Sequence, residues 1–176
     1  MRQNICAIVI WVLGMVGLIG LTPTVSHAVG EPQPGAWTYG GSIGFLGDTP
    51  SQTAFALNGR ADNFLNRNFS IGPLLQIAFT GALFQVGLSG QAKYWMEIPD
   101  TDNRLRAVFQ GGIGFLHADR LNSDTSWLLP FGAGLDYLLS QRVALTADFL
   151  LNFTDIDTGN GRDAHVMPGL TFGVRF

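Results

Sequence analysis

The sequence predicts an all-β fold: eight antiparallel strands wound up-and-down into a closed transmembrane β-barrel, after a cleaved signal peptide. Three observations predict it. Apolar and polar residues alternate at period two in eight successive stretches, and no stretch reaches the length and 3.6 period of an amphipathic helix. Hydrophobic residues make up 47% of the 176-residue chain and charged residues only 13%, against about a quarter in soluble domains. That composition excludes disorder and leaves a very apolar soluble core or a protein that faces lipid. The chain also ends on an alternating stretch. Val166, Leu170, Phe172, Val174 and Phe176 take one face; Met167, Gly169, Thr171, Gly173 and Arg175 take the other.

Residues 1–28 read as a secretory signal peptide. Arg2 supplies the positive start, residues 5–21 the apolar run, and Ser26-His27-Ala28 a small-x-small cleavage site. An uncleaved anchor is the competing reading, because about 17 apolar residues approach the length of a span. Pro23 and the Ser-His-Ala ending suit a leader better. Cleavage removes Cys6, the only cysteine, so no disulfide is expected in the mature chain. It also removes Arg2 from the 10 Lys and Arg, leaving 9 against 13 Asp and Glu, a net charge of −4. Nucleic-acid binding calls for a basic patch, and none is expected here.

Residues 29–36 form a short Pro/Gly linker without periodicity. The barrel then occupies 37–176. The first strand (37–46) turns Trp37, Tyr39, Ile43 and Phe45 to one face. The second (53–64) sets Phe55 and Leu57 against Asn58, Arg60 and Asp62. The third (69–79) sets Phe69, Ile71, Leu75, Ile77 and Phe79 against Ser70, Gly72, Gln76 and Ala78. The fourth (83–95) sets Phe84, Val86, Leu88 and Tyr94 against Gln85, Ser89, Gln91 and Lys93. In the fifth (105–116), Leu105, Ala107, Phe109, Ile113 and Phe115 oppose Arg106, Gln110, Gly112 and Gly114. In the sixth (127–137), Trp127, Leu129, Phe131, Leu135 and Tyr137 oppose Gly132, Gly134 and Asp136. In the seventh (143–153), Val143, Leu145, Phe149, Leu151 and Phe153 oppose Thr146, Asp148 and Asn152. The closing stretch is the eighth. Strands of about 10 to 13 residues are long enough to cross a bilayer at a tilt.

The connections suggest two unlike ends. Residues 62–71 line up weakly with 136–145, each an inward Asp, a tight polar turn and a new alternation, and 97–104 joins that class. The opposite end carries 47–52, 80–82, 117–126 and 155–165, on the whole longer. An even strand count puts both termini at the short-turn end. Pro73, Pro130 and Pro168 fall inside strands, where each removes a ladder hydrogen bond, so bulges or unpaired positions are expected there. Aromatic residues near the strand ends predict two interfacial girdles: Trp37, Tyr39, Phe69, Tyr94, Tyr137 and Phe176 at one end, and Phe45, Phe79, Phe84, Phe115, Trp127 and Phe153 at the other.

The ending, with Leu170, Phe172, Val174 and a terminal Phe176, resembles the last strand of bacterial outer-membrane barrels. That resemblance implies that these four residues are read by the insertion machinery. Residues 37–176 as a whole resemble the small eight-stranded outer-membrane barrels, such as the OmpA transmembrane domain, OmpX and the opacity-type surface proteins. What this implies is an integral, monomeric outer-membrane protein with both termini in the periplasm. Its partners would be outer-membrane lipid and lipopolysaccharide, and the barrel-assembly machinery during insertion. A structural or surface-interaction role follows, and the short outer loops disfavour a large adhesive surface. A narrow channel or binding barrel for small hydrophobic solutes, as in OmpW-like barrels, and a lipid-modifying enzyme remain alternatives.

Parity fills the expected lumen with Arg60, Lys93, Arg106 and Arg175 against Asp62, Asp136 and Asp148, most of them near the short-turn end. Ionisable groups in a narrow interior must pair to offset desolvation, so a structural ion network is the expectation, ahead of a polar pore or proton path. The other half of the lumen is rich in glycine (Gly40, Gly44, Gly87, Gly112, Gly114, Gly132, Gly134, Gly169, Gly173), which gives either curvature or a cavity open to the outside. Catalysis is not expected. His117 and His165 have acidic neighbours in Asp119 and Asp163, and Ser123, Ser126 and Asp124 share a loop with His117, but no motif unites them. No residues show metal-ligand spacing, no glycine loop suits a phosphate, and no cofactor is expected.

Overall fold

A computed structural model describes residues 33–120, 122–158 and 163–176. The expected signal peptide and the first part of the expected linker lie outside these residues. Eight strands follow one another: β1 (Trp37–Thr49), β2 (Gln52–Phe64), β3 (Phe69–Phe79), β4 (Phe84–Glu97), β5 (Leu105–Asp119), β6 (Ser123–Ser140), β7 (Val143–Ile156) and β8 (Ala164–Arg175). Each pairs antiparallel with the next, and β8 returns to β1, so the sheet is a closed up-and-down barrel. The seam runs from Gly40↔Arg175 to Leu46↔Gly169. Two further bonds, Tyr39 N–H to Phe176 O at 2.8 Å and Phe176 N–H to Tyr39 O at 2.9 Å, extend it to the last residue. The end of the linker is not loose. Gly35 N–H donates to Phe64 O at 2.7 Å, in a turn that needs the positive φ of Gly35 (84°).

The period-two pattern assigns the faces. Along β4, Gln85, Ser89, Gln91, Lys93 and Trp95 are buried, while Leu88, Tyr94 and Met96 are exposed. The same parity holds round the barrel, so the bulky apolar residues point outward and most polar ones inward. Ile113 is 71% exposed and Phe45 60%, whereas Arg175 is fully enclosed. A surface of this kind suits hydrocarbon, not water. The aromatic residues assigned to the two girdles all take the outward face, Phe84 and Phe153 partly covered by their neighbours. At one end Phe69 packs on Tyr94 at 5.0 Å between ring centres; at the other, Phe45, Phe55 and Phe79 form a chain at 6.1 and 5.3 Å.

One expectation fails. The two ends do not differ in loop length. The strands run on at the end away from the termini, where β5 and β6 continue as far as Asp119↔Ser123. The connections left there are 50–51, 80–83, 120–122 and 157–163, against 65–68, 98–104 and 141–142 at the other end. Polar residues such as His117, Asp119 and Thr125 look like loop in a hydropathy pattern. Their backbones nevertheless pair, because the ladder needs only N–H and C=O groups.

The three prolines sit where pairing lapses on one side. Pro73 keeps its partner Gly90 on β4, but towards β2 the ladder jumps from Arg60↔Leu74 to Asn63↔Ile71. Pro130 pairs with Asn152 on β7, and the β5 ladder jumps from Gly111↔Phe131 to Gly114↔Leu128. Pro168 pairs with Leu151, and the seam with β1 stops one residue before it. Each missing N–H thus faces a gap two residues long or the end of a seam, and a closed barrel tolerates it.

Glycines let neighbouring strands approach. A Cβ on Gly132 would overlap the Phe149 carbonyl, and one on Gly44 the Leu170 carbonyl. Replacing Gly132 with Val is therefore expected to push β6 away from β7 and to destabilise the barrel by about 1–3 kcal/mol, the usual range for overpacking. A lowered urea midpoint for the loss of the folded, fast-migrating gel band measures it; an unchanged midpoint would contradict the close approach.

The sealed lumen as candidate functional site

The interior is layered from the terminus end outward. Near that end Phe64 from β2, Trp95 from β4 and Val108 from β5 form a small buried apolar cluster. The rings of Phe64 and Trp95 pack at a tilt, 5.2 Å between centres, and the indole N–H of Trp95 donates to Ser70 Oγ at 2.8 Å.

The ion layer lies next to it. Arg175 donates through Nε and Nη2 to the two oxygens of Asp136, both at 2.8 Å, and its guanidinium sits 5.0 Å from the Trp95 ring centre. The bidentate fork fixes direction as well as distance, and the ring face adds a cation–π contact. Lys93 Nζ lies 2.8 Å from Asp62 Oδ1. Arg60 Nη1 donates to Asp148 Oδ2 at 2.9 Å, and Gln110 Nε2 donates to Asp148 Oδ1 at 3.4 Å. Arg106 reaches Glu97 at 3.3 Å, at the mouth, where the Glu97 side chain is half exposed. The structure therefore brings six of the seven charged residues singled out in the sequence into three mutual pairs. The seventh, Arg106, pairs with Glu97, which the sequence reading left in a turn. Its odd number on β4 puts it on the face of Lys93 and Trp95, a signal that needed only two more residues of strand. Each of the three inner pairs joins strands that are not neighbours: β8 with β6, β4 with β2, and β2 with β7.

Amide and hydroxyl groups fill the middle. Ser42 donates to Thr171 at 3.1 Å, and Gln91 to Ser89 at 2.8 Å. Beyond them the lumen turns apolar again. Leu46, Leu83, Leu116, Leu128, Ile156 and Met167, with buried alanines between them, form an apolar plug. Of the two readings of the glycine-rich half, this favours curvature over a cavity open to the outside. The glycines pack against neighbouring strands, and leucine and methionine side chains take the space. The void that remains between plug and ion layer measures about 10 Å³. That is room for about one water molecule, and none for an organic solute.

The rim residues considered for catalysis are dispersed. His117 projects outward with its ring nitrogen 2.8 Å from Thr125 Oγ1, whereas Ser126 lies on the opposite face of β6. Asp124 accepts from the backbone of Thr125 and Asp157, both at 2.8 Å. Asp119 stands across from Ser123, and His165 lies 3.3 Å from Asp155. Among the described residues no group of three His, Cys, Asp or Glu side chains could hold a metal ion. The four residues of the terminal signature, Leu170, Phe172, Val174 and Phe176, are exposed on the outer wall beside the seam.

Removing one partner of a buried pair leaves an uncompensated charge. Asp136→Ala is expected to cost about 3–5 kcal/mol by stranding Arg175. Glu97→Gln, at the wet mouth, is expected to cost less than about 1 kcal/mol. Urea unfolding of both variants in one detergent checks the contrast; equal effects would mean that burial does not govern these pairs.

No family model matches the chain, and no curated protein does. Solved structures do. Neisserial surface protein A is 13% identical, over 79% of this chain and 94% of that one, with a TM-score of 0.58. The outer membrane protein OprG from Pseudomonas aeruginosa is 10% identical, over 84% and 99%, at 0.55. A de novo designed transmembrane β-barrel is 13% identical, over 83% and 98%, at 0.50. At these identities the likeness is one of fold: the chain has the eight-stranded closed barrel of small outer-membrane proteins.

Proposed function

We propose that this protein is an integral, monomeric barrel of the bacterial outer membrane with a structural or surface-interaction role, and that it neither conducts nor catalyses. The observation that carries this reading is the pairing of an apolar outer wall with a lumen filled by side chains, buried ion pairs towards the terminus end and an apolar plug at the other. A pore needs a continuous wet path, and here paired charges and an apolar plug occupy the lumen. The outer wall is in contact with lipid and lipopolysaccharide. Both termini lie in the periplasm, since a chain arriving from that side need only push hairpins across.

Two experiments test this. The protein is expected to fractionate with outer membranes, to migrate faster on gels before boiling than after, and to give no steady conductance in planar bilayers. Recovery as a soluble periplasmic protein would end the membrane reading, and stable channel currents would favour the solute channel instead. The second concerns the terminal signature. Its outward side chains Leu170, Phe172, Val174 and Phe176 are free for a receptor before β8 pairs with β1. Deleting Phe176 is expected to lower the amount assembled in cells severalfold while leaving refolding in detergent largely intact. Equal losses in both would point to a fold defect rather than a lost insertion signal.

A further inference from the structure

The 10 Å³ void in the middle of the lumen has an unusual wall. Asn58 of β2, Gln85 of β4 and Asn152 of β7 line it, each more than nine-tenths buried. The side-chain carbonyl oxygen of each has no hydrogen-bond partner among the described residues. Two of the amide nitrogens are turned elsewhere, Gln85 Nε2 to Met167 Sδ at 3.7 Å and Asn152 Nδ2 to Met167 O at 3.4 Å. Three acceptors therefore meet in one small space. Their strands are not neighbours, so no ladder bond ties them to each other. A buried acceptor without a donor bears its full desolvation cost, and native interiors rarely leave three together.

We propose that this void is a binding site for one long-lived water molecule that bridges β2, β4 and β7 across the lumen. The size fits a single water. The donors also balance. Thr171 lines the same void and its oxygen accepts from Ser42 at 3.1 Å, which leaves its own proton to donate. Two water protons and the Thr171 proton serve three carbonyl oxygens. A cation would suit the oxygens equally well, but the lumen holds no charge to balance it. Arg60, Lys93, Arg106 and Arg175 are already matched by Asp148, Asp62, Glu97 and Asp136. The leucines and Met167 on the other wall keep the site closed, so exchange with bulk water requires the plug to move.

The test uses the barrel in lipid nanodiscs, with side-chain amides of Asn and Gln labelled for NMR. Cross-peaks are expected from the amides of Asn58, Gln85 and Asn152 to a water that outlives the tumbling of the particle. In Asn152→Leu, which fills the void and removes one acceptor, the cross-peaks at Asn58 and Gln85 are expected to vanish while the gel shift of the folded form remains. Absence of water cross-peaks in the unaltered protein would overturn the proposal. So would their persistence in the variant, or amide resonances that move when sodium is exchanged for choline, which would assign a cation instead. If Asn152→Leu does not fold, the spectra of the unaltered protein in sodium and in choline decide the matter.

Discussion

The seam between β1 and β8 is the contact on which everything else depends. In hydrocarbon no water is available for an unpaired N–H or C=O, so a spanning sheet is stable only if it has no edge. Seven hairpin-like pairings come from strands adjacent in sequence, but the eighth must bring Gly40 to Arg175 across nearly the whole chain. That pairing converts a sheet with two open edges into a wall. The last residue takes part in it, through both backbone bonds between Phe176 and Tyr39. The same strand carries Arg175, so closing the seam also delivers the guanidinium to Asp136 and Trp95.

Turning the apolar face outward inverts the usual sources of stability. The bulky residues contact hydrocarbon on the outside, and what holds the interior is polar. Charges in such a space are tolerable only as pairs, and the three inner pairs join strands that are not neighbours. Each therefore braces two distant parts of the wall. Burial of the three inner pairs keeps bulk water from them, which raises both their strength and the cost of breaking one.

A narrow barrel also demands sharp curvature, and its sequence shows where that falls. Gly44 and Gly132 allow a neighbouring carbonyl to lie where a Cβ would be. The Ala61 carbonyl closes in the same way onto Gly72, in the gap left opposite Pro73. Proline and glycine, which weaken an ordinary strand, here release the sheet locally so that it can bend.

The sequence by itself determined the strand count, the outward face and the inward parity of the seven charged residues from Arg60 to Arg175. The reason is that side-chain alternation is local: a residue's parity within its own strand decides whether it faces in or out. Asp62 and Asp136 were assigned inward on that ground, as were Lys93 and Arg175. Only the tertiary structure decided who pairs with whom. Asp62 takes Lys93 and Asp136 takes Arg175 because stagger between strands sets their heights, and stagger is a property of the whole closed ladder. For the same reason Glu97 went unnoticed: its pairing with Arg106 follows from the β4–β5 ladder continuing to the last residue of β4. The outer plug was hidden as well. Leu46, Leu116, Leu128 and Met167 have inward parity, but only assembly brings four such residues from four strands to one level. The polar hairpin end around His117 and Thr125 stayed paired for a reason that hydropathy does not record, namely that backbone hydrogen bonds join strands whatever their side chains.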